Sequence, residues 1–208
     1  MLAGKPSLAS CRVNAGRRAQ CWCTSGVANP SAPTTLKRLI LLRHGDSEEN
    51  PKVRDHDRAL SALGKKQALA VASQLEAQGW LPDLILASNA TRTRETLMTM
   101  MTASPALEQV DAHYYGSLYT VAALDGQTQQ HLSECLLEVV NSDKHSCVMC
   151  VGHNKGWEEA ASSWSGRAIK LGTATAALLQ VVAASWSEAL AEDGTGKWEC
   201  VAIVGADV

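Results

Sequence analysis

Leu39-Ile40-Leu41-Leu42-Arg43-His44-Gly45 is the stretch on which the reading of this chain turns. A short, unbroken apolar run fits a strand buried on both faces, and Lys37 to Arg43 reads as the first strand. It ends in Arg-His-Gly. A second run, Cys147 to Val151, ends in Gly152-His153-Asn154. Two histidines therefore close two buried strands far apart in sequence. Ligands of open α/β sheets bind beyond the carboxyl ends of the strands. An imidazole there, beside an arginine and a glycine that admits close backbone approach, suits a nucleophile for phosphoryl transfer.

Working outward, residues 44–60 read as a polar loop with Pro51 and the charged group Arg54-Asp55-His56-Asp57-Arg58. Ser61 is a candidate N-cap for a helix to about Gln78, with Leu69, Ala72 and Leu75, beside Glu76, as its apolar stripe and Gly79 as its stop. Leu84 to Ser88 reads as the second strand. Thr91 opens a helix whose Leu97, Met100 and Met101 face inward. A helix from Gln129 to Val140, a third central strand from Cys147 to Val151 and a helix from Lys155 to Trp164 follow. Ala174 to Val182 and Trp198 to Val204 read as late strands, paired as a hairpin across a connection at Gly194 and Gly196. Strands alternating with helices predict an α/β three-layer sandwich with a mostly parallel sheet, as one domain over 36–208.

The 208 residues are 46% hydrophobic and 19% charged, an ordinary globular composition with room for a sizeable core. No stretch approaches the roughly 20 apolar residues of a membrane span. A net charge of −2 argues against a nucleic-acid partner. The charge is unevenly placed. Residues 1–35 hold Lys5, Arg12, Arg17 and Arg18 and no acid, so the other 15 of the 19 basic residues meet all 21 acids. That leader is rich in Ala, Ser and Thr and has no secretory apolar run, as in an organellar transit peptide. Its composition points to the chloroplast ahead of the mitochondrion, with a cytoplasmic tail as the plainer alternative. Of seven cysteines, Cys11, Cys21 and Cys23 fall in the leader. Cys135, Cys147, Cys150 and Cys200 lie in apolar runs as small hydrophobes. Cys147 and Cys150 sit in one strand and face opposite sides, which argues against a redox or zinc pair.

Three strand ends converge on the chemistry: Arg43-His44, Ser88 to Arg92, and His153. Arg92 falls in the first turn of its helix, where free N–H groups favour an anion. Arg43, Arg58 and Arg92 with two imidazoles would surround a phosphoryl group, and guanidinium forks match its oxygens. Positioning and equatorial donors stabilise a loose phosphoryl transition state, so neither metal nor cofactor is called for. One imidazole must be neutral at its attacking nitrogen, and residue physics alone leaves open which histidine that is. Asp55-His56-Asp57 with His44 and His153 could be drawn as a metal cluster, but the arginines would repel a cation. Trp157 and Trp164, seven apart on one helix, share a face and read as core.

In family order, the chain carries Leu-Leu-Arg43-His44-Gly45-Asp46-Ser47 with Asn50; Asp57-Arg58-Ala59-Leu60-Ser61 with Gly64 and Gln67-Ala68; Ser88-x-Ala-x-Arg92-Thr93-x-x-Thr96; and Val151-Gly152-His153-Asn154. Leu118-Tyr119 and Gly172 to Ala176 fit the short members. In these motifs the sequence resembles the histidine phosphatase superfamily, also called phosphoglycerate-mutase-like, and most of all its SixA-type phosphohistidine phosphatases. The resemblance spans about residues 37–204. It departs at Ala59 and Asn89, where the family has proline. It implies a fold without a large cap insert. It implies His44 as the phosphorylated nucleophile; Arg43, Arg92 and His153 as its pocket; and Arg58 and Asn50 as further phosphate ligands. Longer members carry an acidic proton donor between the Arg92 and His153 motifs. Here the candidates are Glu108 and Asp111, with Glu158 or Glu159 beyond His153. A weak match at the donor fits an activated substrate such as protein phosphohistidine, whose leaving imidazole has a pKa near 6.5. The alternatives are a phosphate-binding module without turnover, and a phosphatase or mutase of a small sugar phosphate.

Overall fold

Leu39, Ile40, Leu41 and Leu42 are wholly buried because their alternating side chains enter two different cores. Strand β1 (Thr35–Arg43) is thus the middle of the molecule, a computed structural model that describes residues 33–121, 127–141, 144–191 and 196–205. Leu39 and Leu41 meet Leu86, Val148, Leu136 and Trp157, whereas Ile40 and Leu42 meet Val71, Leu75, Ile85 and Leu97.

The chain continues through a 3-10 turn (Asp55–Asp57), α1 (Ala62–Ala77), β2 (Leu84–Ser88), α2 (Thr91–Ala103), α3 (Pro105–Glu108), β3 (Ala112–Tyr115) and α4 (Ser117–Val121). Then come α5 (Thr128–Val139), β4 (Cys147–Gly152), α6 (Asn154–Ser165), β5 (Thr175–Ala183), α7 (Trp186–Ala189) and β6 (Glu199–Gly205). Among the described residues the strands form one sheet in the order β3-β2-β4-β1-β5-β6. β1, β2, β3 and β4 run parallel, and β5 and β6 add antiparallel strands at one side. Helices α1 and α2 cover one face; α5 and α6, with short α4 and α7, cover the other. This is the expected three-layer α/β sandwich with a mostly parallel sheet, and β5 and β6 pair as the expected late strands. Gly194, in their connection, lies outside the described residues.

Register levels the functional ends. Leu42 is opposite Val151 on β4, as is Ala87 of β2. His44 continues the ladder by donating its N–H to the Gly152 carbonyl at 3.0 Å. The turn after β1 is fastened twice more: Gly45 N–H donates to Thr96 Oγ1 at 3.0 Å and Asp46 N–H to Gln67 Oε1 at 2.9 Å. Ser61 caps α1 as expected, accepting from Gly64 N–H at 3.0 Å and donating to Asp46. Close approach is tightest at two of the glycines. A Cβ on Gly64 would lie 2.0 Å from the Asp46 carbonyl oxygen, and one on Gly152 would lie 2.2 Å from the Trp157 ring.

Three details differ from the sequence expectations. Leu69 is exposed, whereas Ala72 and Leu75 are buried as expected, and Ala68 and Val71 complete the apolar stripe of α1. Met101 is only partly buried at the rim of its core. β3 was not anticipated; its Ala-His-Tyr-Tyr sequence has no apolar run, since an edge strand buries little. Cys147 and Cys150 do enter opposite cores, and burial pushes the Cys147 thiol up to about 12 and the Cys150 thiol higher still. Trp157 and Trp164 are both core residues. No helix of the described residues is long and apolar enough to cross a membrane.

Candidate active site

His44 sits at the carboxyl end of β1, almost fully buried. Its Nδ1 lies 2.7 Å from the Gly45 carbonyl, which can only accept, so Nδ1 carries the proton. Arg92 Nε–H donates to His44 Nε2 at 3.1 Å, so that nitrogen presents its lone pair. Burial lowers the imidazole pKa to about 4; the Arg92, Arg43 and Arg58 charges add to that, against the pull of the Gly45 carbonyl. The ring is neutral at pH 7 with one defined tautomer.

His153 follows β4 and its ring centroid lies 5.3 Å from that of His44. Its Nδ1 is 3.4 Å from Arg92 Nη2, a donor only, so Nε2–H is the proton given to Ser88 Oγ at 2.8 Å. Burial, then the proximity of His44 and Arg92, lowers its pKa to about 3. Tyr119 stacks edge-on against His153, with centroids 5.3 Å apart, and lies beneath the Arg92 guanidinium.

The 3-10 turn brings Asp55 over this pair. Its Oδ2 accepts from Arg92 Nη2 at 2.9 Å and from the Tyr119 hydroxyl at 2.9 Å; its Oδ1 accepts from Arg58 Nη1 at 3.1 Å. Its backbone carbonyl accepts from Arg92 Nη1. Burial pushes the Asp55 carboxyl up, but the Arg92, Tyr119 and Arg58 donors outweigh it and hold the group below the ordinary carboxylate range. Arg58 also donates to the Glu48 carbonyl and Ser47 Oγ, both at 2.8 Å, and Arg43 Nη1 to the Leu171 carbonyl at 2.8 Å. A cleft of about 270 Å³ opens here, lined by Arg43, His44, Ser47, Arg58, Arg92 and Thr173, with Asp46 and Glu49. A neighbouring cleft of about 400 Å³ shares Arg58 and Glu49 with it and adds Asn50, Pro51, Val53 and Asp55. A third cavity of about 320 Å³, lined by Gln129, Glu134 and Leu190 among others, has no cation to hold a phosphate.

Residues 39–112 match the family described as the histidine phosphatase superfamily, branch 1. An uncharacterized chloroplastic protein of Arabidopsis thaliana is 48% identical over 181 residues, covering 86% of this chain and 82% of that one. The chain belongs to the histidine phosphatase superfamily. The structure is similar to one assigned as the phosphohistidine phosphatase SixA of Nakamurella multipartitia (TM-score 0.65, 25% identity, 85% of this chain and 99% of that one). It also has the fold of one assigned as SixA of Agrobacterium tumefaciens (TM-score 0.63, 24% identity, 84% and 99%). Family and neighbours support a phosphatase.

In this member of the superfamily, His44, Arg43, Arg58 and Arg92 share one cleft, with His153 behind Arg92. Asn50 lies one cleft away, its Oδ1 accepting from Lys52 N–H at 3.0 Å. Asp111 stands at the other edge of the sheet: its carbonyl pairs with Ile85 N–H near the amino end of β2, about 10 Å along the strand from Ser88. Exposed Glu108, on α3 just before it, is at that same edge. Neither carboxylate reaches the imidazoles, because β3 runs parallel to β2 and only its far end comes level with Ser88. Glu158 is near Arg43, but its Oε1 accepts from Leu171 N–H at 2.9 Å and its Oε2 from Lys170 at 3.0 Å. Burial raises it, the donors and Arg43 outweigh that, and it stays ionised. Glu159 accepts from Thr128 N–H. The carboxylate that does enter the site, Asp55, was missed as a functional residue, as was the role of Tyr119. Asp55's spacing of three from Arg58 was the available signal. Asp55, His56 and Asp57 do not converge on a metal position: His56 turns to Asp57 Oδ1 and Asn89 Oδ1, each at 2.9 Å. No group of three metal-ligating side chains occurs among the described residues.

Proposed function

We propose that this protein is a metal-independent phosphatase that carries the phosphoryl group on His44 Nε2 and acts on phosphohistidine in proteins. The observation that carries the reading is the neutral, single-tautomer His44, its Nε2 lone pair facing a guanidinium at the floor of a cationic cleft. Nε2 attacks phosphorus as the leaving group departs on the far side. Water then attacks phospho-His44 and returns the electron pair to Nε2. Arg43, Arg58 and Arg92 supply donors to the equatorial oxygens, where the loose transition state gathers charge. Arg92 Nε–H turns from the spent lone pair onto phosphate. The bound anion opposes the burial that lowers His153, so a proton taken up there balances the added charge.

Phosphohistidine is favoured by the state of the nearby acids. Asp55 and Glu158 are both held ionised and are poor proton donors. An alkoxide needs a donor, whereas an imidazole leaves without one. We also propose a chloroplast address in residues 1–35, supported by their composition and by the chloroplastic name of the Arabidopsis relative.

Rapid quenching of the full chain with a labelled phosphohistidine protein tests the catalytic reading. Acid-labile, base-stable label on His44 is expected, absent from His44→Ala. Phosphate release by His44→Ala at the wild-type rate would remove His44 as the nucleophile. Tight phosphate binding without release by the wild type would instead favour a recognition module.

A further inference from the structure

We infer that Asp55 is the specificity-determining residue of this site: its carboxylate receives the leaving group in the Pro51–Val53 cleft and selects nitrogen-linked over oxygen-linked phosphate. The inference rests on the phosphatase reading above.

Asp55 is fixed from three sides, by Arg92 Nη2, Arg58 Nη1 and the Tyr119 hydroxyl. Two of those partners are guanidiniums that border the nucleophile's cleft. Any phosphoryl group held by Arg58 and Arg92 therefore adjoins a carboxylate. The side chain is still 52% exposed, so a face of it remains open for a substrate. Arg58 and Glu49 line both clefts, which makes the one holding Asp55, Pro51 and Val53 the exit beside the phosphate. Its volume of about 400 Å³ accommodates a ring and a short stretch of backbone.

An ionised carboxylate in that place acts oppositely on two kinds of substrate. It repels the dianion of a phosphomonoester and has no proton for the departing oxygen. It attracts the protonated ring of a phosphoimidazole. Such a ring bears its phosphoryl group on one nitrogen and a proton on the other, and the proton is what Asp55 would bind. The step balances. His44 Nε2 donates its pair to phosphorus, and the P–N bond of the substrate breaks with its pair returning to the substrate nitrogen. The substrate ring departs neutral, keeping its distal N–H, while His44 becomes the phosphorylated, positively charged ring. One P–N bond replaces another, so no external acid is required.

The test compares wild type, Asp55→Asn and Asp55→Glu on a phosphohistidine peptide and on p-nitrophenyl phosphate. Asp55→Asn is expected to lower kcat/KM on phosphohistidine by about tenfold to a hundredfold, the weight of a hydrogen bond to a charged group. It should raise kcat/KM on the ester, and Asp55→Glu should restore part of the preference. The wild-type advantage on phosphohistidine should shrink as pH rises past the substrate ring's pKa. Equal loss on both substrates, at every pH, would reduce Asp55 to a prop for Arg92 and overturn the inference with the phosphatase reading intact. A wild type inactive on both substrates would overturn both.

Discussion

His44 and His153 are buried bases kept uncharged among cations, and that arrangement sets how the protein tolerates acid. Their folded-state pKa values of about 4 and about 3 lie below the 6.5 of a free imidazole. On acidification the unfolded chain therefore takes up protons first. Stability from these groups is fully present above pH 6.5 and is lost as the pH falls through the folded-state values. For His44 alone the loss is on the order of 3 kcal/mol. The two do not simply add, since His153 is lowered partly by His44. Urea denaturation between pH 7 and pH 4 should show the midpoint falling steadily, and His153→Asn should flatten that slope. A midpoint independent of pH across this range would show that the rings are not held neutral. Both histidines were legible in sequence because each ends a buried apolar run, which marks its place in space. Asp55 is legible only through its spacing of three from Arg58, since its other partners, Arg92 and Tyr119, lie 37 and 64 residues away, beyond the reach of a local pattern.

At the scale of elements, the site depends on how β4 turns into α6. Gly152 is the last residue of β4, and the Trp157 indole fills the space beside it while donating Nε1–H to the Cys150 carbonyl at 2.9 Å. That packing fixes the start of α6 and with it the ring of His153, 6.4 Å from Trp157. Gly152→Ala forces the indole aside and is expected to cost about 1–3 kcal/mol, as overpacking does. Turnover should suffer beyond the loss of stability, because His153 shifts too. Thermal melting with kinetics on the folded fraction checks this, and an unchanged melting point would mean that the indole moves freely. The central strands and main helices were readable from their apolar periods, which reflect burial. In α1 the stripe is legible at Ala72 and Leu75, but Ala68 is buried where Leu69 is exposed, because a small alanine weighs less than a leucine in an apolar count. β3 escaped because an edge strand has no apolar signature to read.

For the molecule as a whole, the sheet delivers Arg43, His44, Ser88 and His153 to one edge because three neighbouring strands run parallel. Parallel order was legible in the alternation of strands and helices, and so was the edge where chemistry would lie. The place of Asp111, just before β3 at the amino end of β2, is not legible without that edge strand. The leader is expected to be separable from this domain. Removing residues 1–32 should leave the unfolding midpoint and the phosphatase rate unchanged, and residues 1–35 fused to a fluorescent protein should carry it into chloroplasts. Failure of either would move the boundary or the address.

The four described cysteines have one more consequence. Cys135, Cys147, Cys150 and Cys200 all have thiols raised by burial, which disfavours the thiolate that peroxide attacks. Phosphatases built on a reactive sulfur fall silent during oxidative bursts. On the proposed mechanism, which runs through nitrogen, peroxide at levels that stop a thiolate-dependent phosphatase should leave the rate of this one unchanged.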